Sequence, residues 1–229
     1  MIVSTPIPLT TLFSRCVRRT YIHTPTHADY AYDRIQKHLI LYFQDSDGTI
    51  DWLHNLDFPA VAYRRNGKIN WYAHRGFLRV WESLIPRVSP LVTDKSLEKI
   101  TVVGYSHGAA LAVLCHEYVW YHSPNLRESL TGYGFGCPRV LWGHVTDELS
   151  QRWDRFTVIR NRKDIVTYVP PAFLGYHHVG HLLEIGEAGK YSAVDAHRAK
   201  NILRELWNYE QYEKLSKMQV YHEKIAKKP

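Results

Sequence analysis

Residues Gly104-Tyr105-Ser106-His107-Gly108 spell G-x-S-x-G, a serine set between two glycines. An apolar run at 99–103 (KITVV) leads into it. A helical pattern follows from 107 to about 121, with Leu111, Leu114, Cys115 and Tyr118 on one face. A serine on a sharp strand-to-helix turn exposes its hydroxyl, and side chains at the flanking positions would collide with neighbouring backbone. The amino end of the helix also presents N–H groups to negative charge forming nearby. The chemistry implied is nucleophilic attack by Ser106. A hydroxyl near neutral pH is a poor nucleophile, so it needs a base, which in turn needs an orienting carboxylate. One known order for a serine on such a strand-to-helix turn is serine, then acid, then histidine, which directs the search to residues after it. Asp164, after the apolar segment 156–160, and Asp195 are the candidate acids. His197 and the group His177, His178 and His181 are the candidate bases.

The H-H-x-x-H group also raises the question of a metal, since imidazoles bind zinc or copper. In an extended strand His177 and His181 share a face but stand roughly 13 Å apart, too far for one ion. No paired carboxylate or cysteine is close by, so neither metal nor cofactor is expected.

These residues must be positioned by alternating short apolar runs and helical patterns. Segment 38–43 (HLILYF) reads as a strand buried on both faces. Segments 60–63 and 68–73 read as a hairpin around Asn66-Gly67. Beyond the serine, strands are expected at 130–135, 156–160 and 179–185, and helices at 142–153 and about 197–218. Asp195 is expected to cap the last helix. This alternation predicts an α/β fold with a mostly parallel central sheet, helices on both faces, and catalytic groups at the carboxyl ends of strands.

The whole chain of 229 residues suits one such domain, with residues 1–30 and 219–229 peripheral. Hydrophobic residues at 45% are enough for a core without disulfides or metal. The formal net charge of +7 comes from scattered residues, with small groups at Arg18-Arg19, Arg64-Arg65 and the tail Lys224, Lys227 and Lys228. They read as solvated surface: no nucleic-acid partner is indicated, and only weak contact with anionic membrane surfaces is compatible with them. Cys16, Cys115 and Cys137 are odd in number and lack metal-type spacing. With prolines interrupting the apolar N-terminal stretch, they point to reduced thiols and a cytoplasmic setting.

Beyond the nucleophile, several segments in order resemble the class 3 lipase family of α/β-hydrolases. Phe43-Gln44-Asp45-Ser46, trailed by Asp51-Trp52, is similar to the family's F-R-G-[ST] and D/N-W. His74-Arg75-Gly76-Phe77 resembles its H-x-G-F, and Phe135-Gly136-Cys137-Pro138-Arg139-Val140 its F-G-[SQ]-P-R-V. Asn161 through Asp164 and Val166 to Pro170 is similar to N-x-x-D-x-V-x-x-[LV]-P, and Tyr176-His177-His178-Val179-Gly180 to Y-x-H-x-G. The resemblance implies Ser106 as nucleophile, Asp164 as acid and His197 as base. It implies Ser46 and the backbone N–H of His107 as the oxyanion hole, and a carboxylic ester of lipid or acylglycerol type as substrate. The same triad would serve a thioesterase or acyltransferase. Gln44-Asp45 replaces the family's Arg-Gly, which brings negative charge near a developing anion and leaves open a hydrolase-like binding protein without turnover. His107 stands where leucine is usual. Residues 47–58 occupy the place of a movable lid, and Ile50, Leu53 and Leu56 keep helical spacing.

Overall fold

The computed structural model describes residues 7–24, 28–45, 59–65 and 67–226. In chain order the elements are α1 (Leu9–Arg18), β1 (Ala28–Ile35), β2 (His38–Asp45), β3 (Ala60–Arg65), β4 (Lys68–His74) and α2 (Arg75–Val92). Then come β5 (Lys99–Tyr105), α3 (His107–His122), β6 (Leu130–Phe135), β7 (Leu141–Trp142), α4 (Asp147–Ser150) and β8 (Phe156–Asn161). The chain continues through β9 (Tyr176–His177), β10 (His181–Ile185), α5 (Ala193–His197) and α6 (Ala199–Ala226).

Six strands form the main sheet in the order β1-β2-β5-β6-β8-β10. β1 is antiparallel to β2, and every other pairing is parallel. β2 shows why an uninterrupted apolar run suits this place. Leu39, Leu41 and Phe43 enter one core with α2 and α3, while Ile40 and Tyr42 enter a second core with α1 and α6. Alternate side chains of one strand thus bury on opposite faces. This is the mostly parallel sheet, covered on both faces, that the sequence predicts.

Several boundaries differ from expectation, each for a local reason. The hairpin of β3 and β4 forms, but it belongs to a second, four-stranded sheet with β7 and β9. The helix expected at 142–153 is instead β7, a left-handed turn at Gly143 (φ 83°) and then α4, whose N-terminus is capped by the Thr146 side chain. Trp142 is drawn into the sheet by pairing with Tyr72 and Tyr176. The strand expected at 179–185 starts only at His181. Gly180 takes φ 70° against the Phe156 carbonyl, where a Cβ would sit 2.2 Å from that oxygen. Helix α3 is buried all round from Gly108 to Val119 rather than on one face, because it lies between the main sheet and α2.

The N-terminal segment is not peripheral. Leu12, Phe13 and Cys16 of α1 are fully buried, and Phe13 meets Tyr105 and Phe135 ring to ring. Helix α2 went unpredicted because Pro86 and Pro90 lie inside it, yet Phe77, Trp81, Leu84, Val88 and Val92 repeat at helical spacing on its buried side. All three cysteines are buried and unpaired. Arg65 is not a solvated charge either: it pairs with the wholly buried Glu117.

Candidate active site

Strand β5 delivers Ser106 at its carboxyl end, with φ 56° and ψ −126°, a conformation unusual for a residue with a side chain. Such strain costs about 1–3 kcal/mol and persists only where the surroundings enforce it. Here the Ser106 N–H donates to the Phe135 carbonyl at 3.0 Å, tying the turn to β6. The two flanking glycines have distinct steric reasons. A Cβ on Gly104 would lie 2.2 Å from the Gly108 carbonyl oxygen, and one on Gly108 would lie 2.2 Å from that of Phe43. Strand, turn and helix fit only because both side chains are absent.

Asp164 follows β8 and is wholly buried. It caps the short 3₁₀ turn Ile165–Tyr168, its Oδ1 accepting from the Val166 N–H at 3.0 Å. His197 ends α5 and is 3% exposed. Its Nδ1 lies 2.9 Å from both carboxylate oxygens of Asp164, and its Nε2 lies 2.8 Å from Ser106 Oγ. Three side chains far apart in sequence therefore form one continuous hydrogen-bonded chain. An imidazole that donates Nδ1–H to a carboxylate has its Nε2 lone pair directed at the hydroxyl, the arrangement that accepts a serine proton.

Three supporting residues were not identified from the sequence. Tyr105 stacks on the His197 ring (5.1 Å between centroids, 19° between planes), and its hydroxyl donates to the His197 carbonyl at 2.7 Å. Asn161 Nδ2 donates to the Ala196 carbonyl, fixing α5 against the end of β8. Gly136, at φ 55°, leaves the space the dyad fills: a Cβ there would lie 2.8 Å from Asp164 Oδ2 and from the His197 ring. The F-G-C-P-R-V segment was the available signal for Gly136. Nothing local marks Tyr105, whose partner lies 92 residues further along the chain.

The rival groups are engaged elsewhere. Asp195 does not cap α6. Ser192 caps α5 through its side chain, and Asp195 accepts from Ser192 Oγ at 2.7 Å and pairs with Arg198. His178 Nε2 faces the Thr167 carbonyl and His181 Nε2 the Asp154 carbonyl. Burial pushes the His178 pKa down to about 4, so that ring is neutral. Among the described residues no group of three or more histidines, cysteines or carboxylates could hold a metal ion. Burial, helped by the charge of Asp164, pushes the neighbouring Cys137 thiol far up, which keeps it protonated and unreactive.

His107 begins α3, its ring edge-on to Phe77 at 5.4 Å. Ser46 and the segment 47–58 lie outside the described residues, as does the side chain of Asp45.

Residues 40–174 match the family model for lipase (class 3). The chain belongs to the class 3 lipase family. Within reach of its sequence is the lipase of Rhizomucor miehei, 28% identical over 160 residues that cover 68% of this chain and 44% of that one. A secreted mono- and diacylglycerol lipase of Malassezia globosa is 27% identical over 51% of this chain and 38% of its own. The chain thus spans less than half the length of these relatives. The Rhizomucor miehei triacylglyceride lipase structure superposes with a TM-score of 0.66 at 21% identity, covering 80% of this chain and 82% of that one. A likeness at that identity carries the α/β-hydrolase fold, and the class 3 motifs carry the rest of the family relation.

Proposed function

We propose that this class 3 lipase family member is a serine hydrolase that cleaves carboxylic esters of lipid or acylglycerol type through an acyl-enzyme on Ser106. The observation that carries the reading is the continuous chain Ser106 Oγ–His197–Asp164 in a buried setting. His197 Nε2 takes the Ser106 proton as Oγ bonds to the ester carbonyl carbon. Asp164 holds the ring in the required tautomer and stabilises the imidazolium that forms. The tetrahedral intermediate collapses, the ester C–O bond breaks, and the alcohol leaves with the proton from His197. Water then gives a proton to His197 and attacks the acyl carbon. Release of the carboxylic acid restores Ser106. The backbone N–H of His107, in the first turn of α3, and that of Ser46 are the proposed donors to the oxyanion. One such donor is typically worth about 3–4 kcal/mol of transition-state stabilisation.

The acylglycerol preference draws on the relatives' own named activities. We take the chain as one catalytic unit, since β5, β8 and α5 all contribute to the site. The cytoplasmic reading has less support than the cysteine count suggested, because burial alone shields these thiols and one relative is secreted. Among the described residues no helix is long and apolar enough to cross a membrane.

A panel of p-nitrophenyl esters and a fluorophosphonate probe test the reading. Wild type should turn over ester and take the label. Ser106→Ala should lose the label, and it and His197→Ala should each lose about 10⁴-fold or more in kcat. Folded wild type that neither labels nor hydrolyses would instead favour the binding protein that Gln44-Asp45 brings to mind.

A further inference from the structure

The end of α3 remote from Ser106 borders a cleft that ester hydrolysis does not use. At about 1.5 Å per residue, His116 stands roughly 15 Å along the helix from the nucleophile. A cavity of about 480 Å³ opens there, at the end of the sheet opposite the triad. Its walls are His116 and Trp120 of α3, Arg127 and Glu128 ahead of β6, and Arg152, Asp154 and Arg155 ahead of β8. Three guanidiniums thus face two carboxylates. One of these, Glu128, is an exposed surface group paired with Arg155 at 2.7 Å.

The arginines are held in place. The Arg127 guanidinium carbon lies 3.7 Å from the centre of the Trp120 ring, and its Nε donates to the Trp120 carbonyl at 2.9 Å. Arg152 pairs with Glu117, which Arg65 also contacts, so two cations share one buried carboxylate. Glu117 is thus matched twice, by Arg152 at the cleft wall and by Arg65 beyond it.

Two groups in this wall lack what burial demands. Arg152 Nε is sealed from solvent with no hydrogen-bond partner, and so are both ring nitrogens of His116, a residue 1% exposed. The His116 ring approaches the Arg152 carbonyl without completing hydrogen-bond geometry. Each buried unpaired polar group costs about 1–3 kcal/mol, and native proteins rarely keep one without a partner. Arg152 Nε can only donate, so what completes it must be an acceptor.

We infer that this cleft binds a phosphate group, with Arg152, His116, Arg127 and Arg155 as its ligating side chains. A tetrahedral oxyanion can meet donors arriving from three separate chain segments, where a planar carboxylate offers only two oxygens. The volume falls within the range of small-molecule sites, so the phosphate can carry a substituent. The neutral imidazole, held so by burial that pushes its pKa down to about 3, supplies one N–H and one lone pair. The lone pair suits the hydroxyl of a singly protonated phosphate.

Inorganic phosphate titrated into the full chain should shift the His116 ring nitrogens in NMR spectra saturably, with a Kd of about 1 mM or tighter. Arg127→Gln combined with Arg155→Gln should weaken binding by about tenfold or more. Ester turnover should be unchanged, and Tm should fall by only a few degrees with the loss of the Arg127 contacts to Trp120. Arg152 stays intact in this variant because it also holds Glu117. Vesicles of phosphatidic acid separate the two sources of the group. Capture that inorganic phosphate competes away assigns the cleft to a lipid headgroup; binding without vesicle capture assigns it to a soluble phosphate. No saturable shift with either probe, or an undiminished one in the double variant, overturns the inference and leaves water as the partner of these atoms.

Discussion

At the scale of single residues, the proposed base His197 depends on Tyr105 as much as on Asp164. The carboxylate sets the tautomer, while the tyrosine holds the ring plane by stacking and anchors the backbone of His197 through its hydroxyl. Tyr105→Phe removes only the anchor and should lower kcat by about fivefold, with KM within about twofold, since one buried hydrogen bond is worth about 1 kcal/mol. Tyr105→Leu also removes the stack and should fall further. Steady-state kinetics with a short-chain ester and the rate of fluorophosphonate labelling measure both. A loss confined to KM would deny Tyr105 the positioning role. Ser106 and Asp164 were legible in sequence because they lie in short motifs with fixed local geometry. Ser106 needs its two glycines, and Asp164 caps the turn that follows a strand. Tyr105 was not legible, since a tyrosine one place before the serine is in no way unusual until α5 is folded against it.

At the scale of elements, the site rests on helices the sequence obscured. Helix α1 supports β5 from beneath: Phe13 packs on Tyr105 and Phe135, the residues leading into the nucleophile turn and the Gly136 turn. Phe13→Ala should therefore destabilise the protein by about 3–5 kcal/mol, the usual cost of emptying a fully buried aromatic site. The midpoint of urea unfolding measures this, and a shift near zero would return the N-terminal segment to the periphery. Helix α1 escaped notice because its neighbours in sequence are prolines and basic residues, and its partner α6 lies at the far end of the chain. Thr10 is tied to Glu210 through both its N–H and its hydroxyl. Helix α2 was masked by its two prolines, whose missing N–H groups the surrounding packing tolerates.

At the scale of the whole molecule, burial of histidines sets an acid limit. His74 and His116 are 3% and 1% exposed, and burial lowers their pKa values from 6.5 to about 4 and about 3. In the unfolded chain both rings take protons as pH falls through 6.5, whereas in the native protein they stay neutral until much lower pH. The unfolded state then binds more protons, so stability is full above 6.5 and is lost as pH falls toward 4. Each ring should contribute a slope of about 1.4 kcal/mol per pH unit across that window. Urea unfolding at pH 7 and pH 5 should show the loss, and His116→Gln should flatten it. An unchanged pH slope in that variant would mean that His116 is solvated. The class of fold and the serine on its turn were within reach of the sequence alone, since they depend on period, spacing and backbone sterics over a few residues, whereas the acid and base were singled out only by the family resemblance. Tertiary structure decided which histidine meets the serine, that Asp195 belongs to Ser192 and Arg198, and that two guanidiniums converge on the buried Glu117. Those are meetings across the sheet and between chain ends, and no local pattern encodes a distance between residues that only packing brings together.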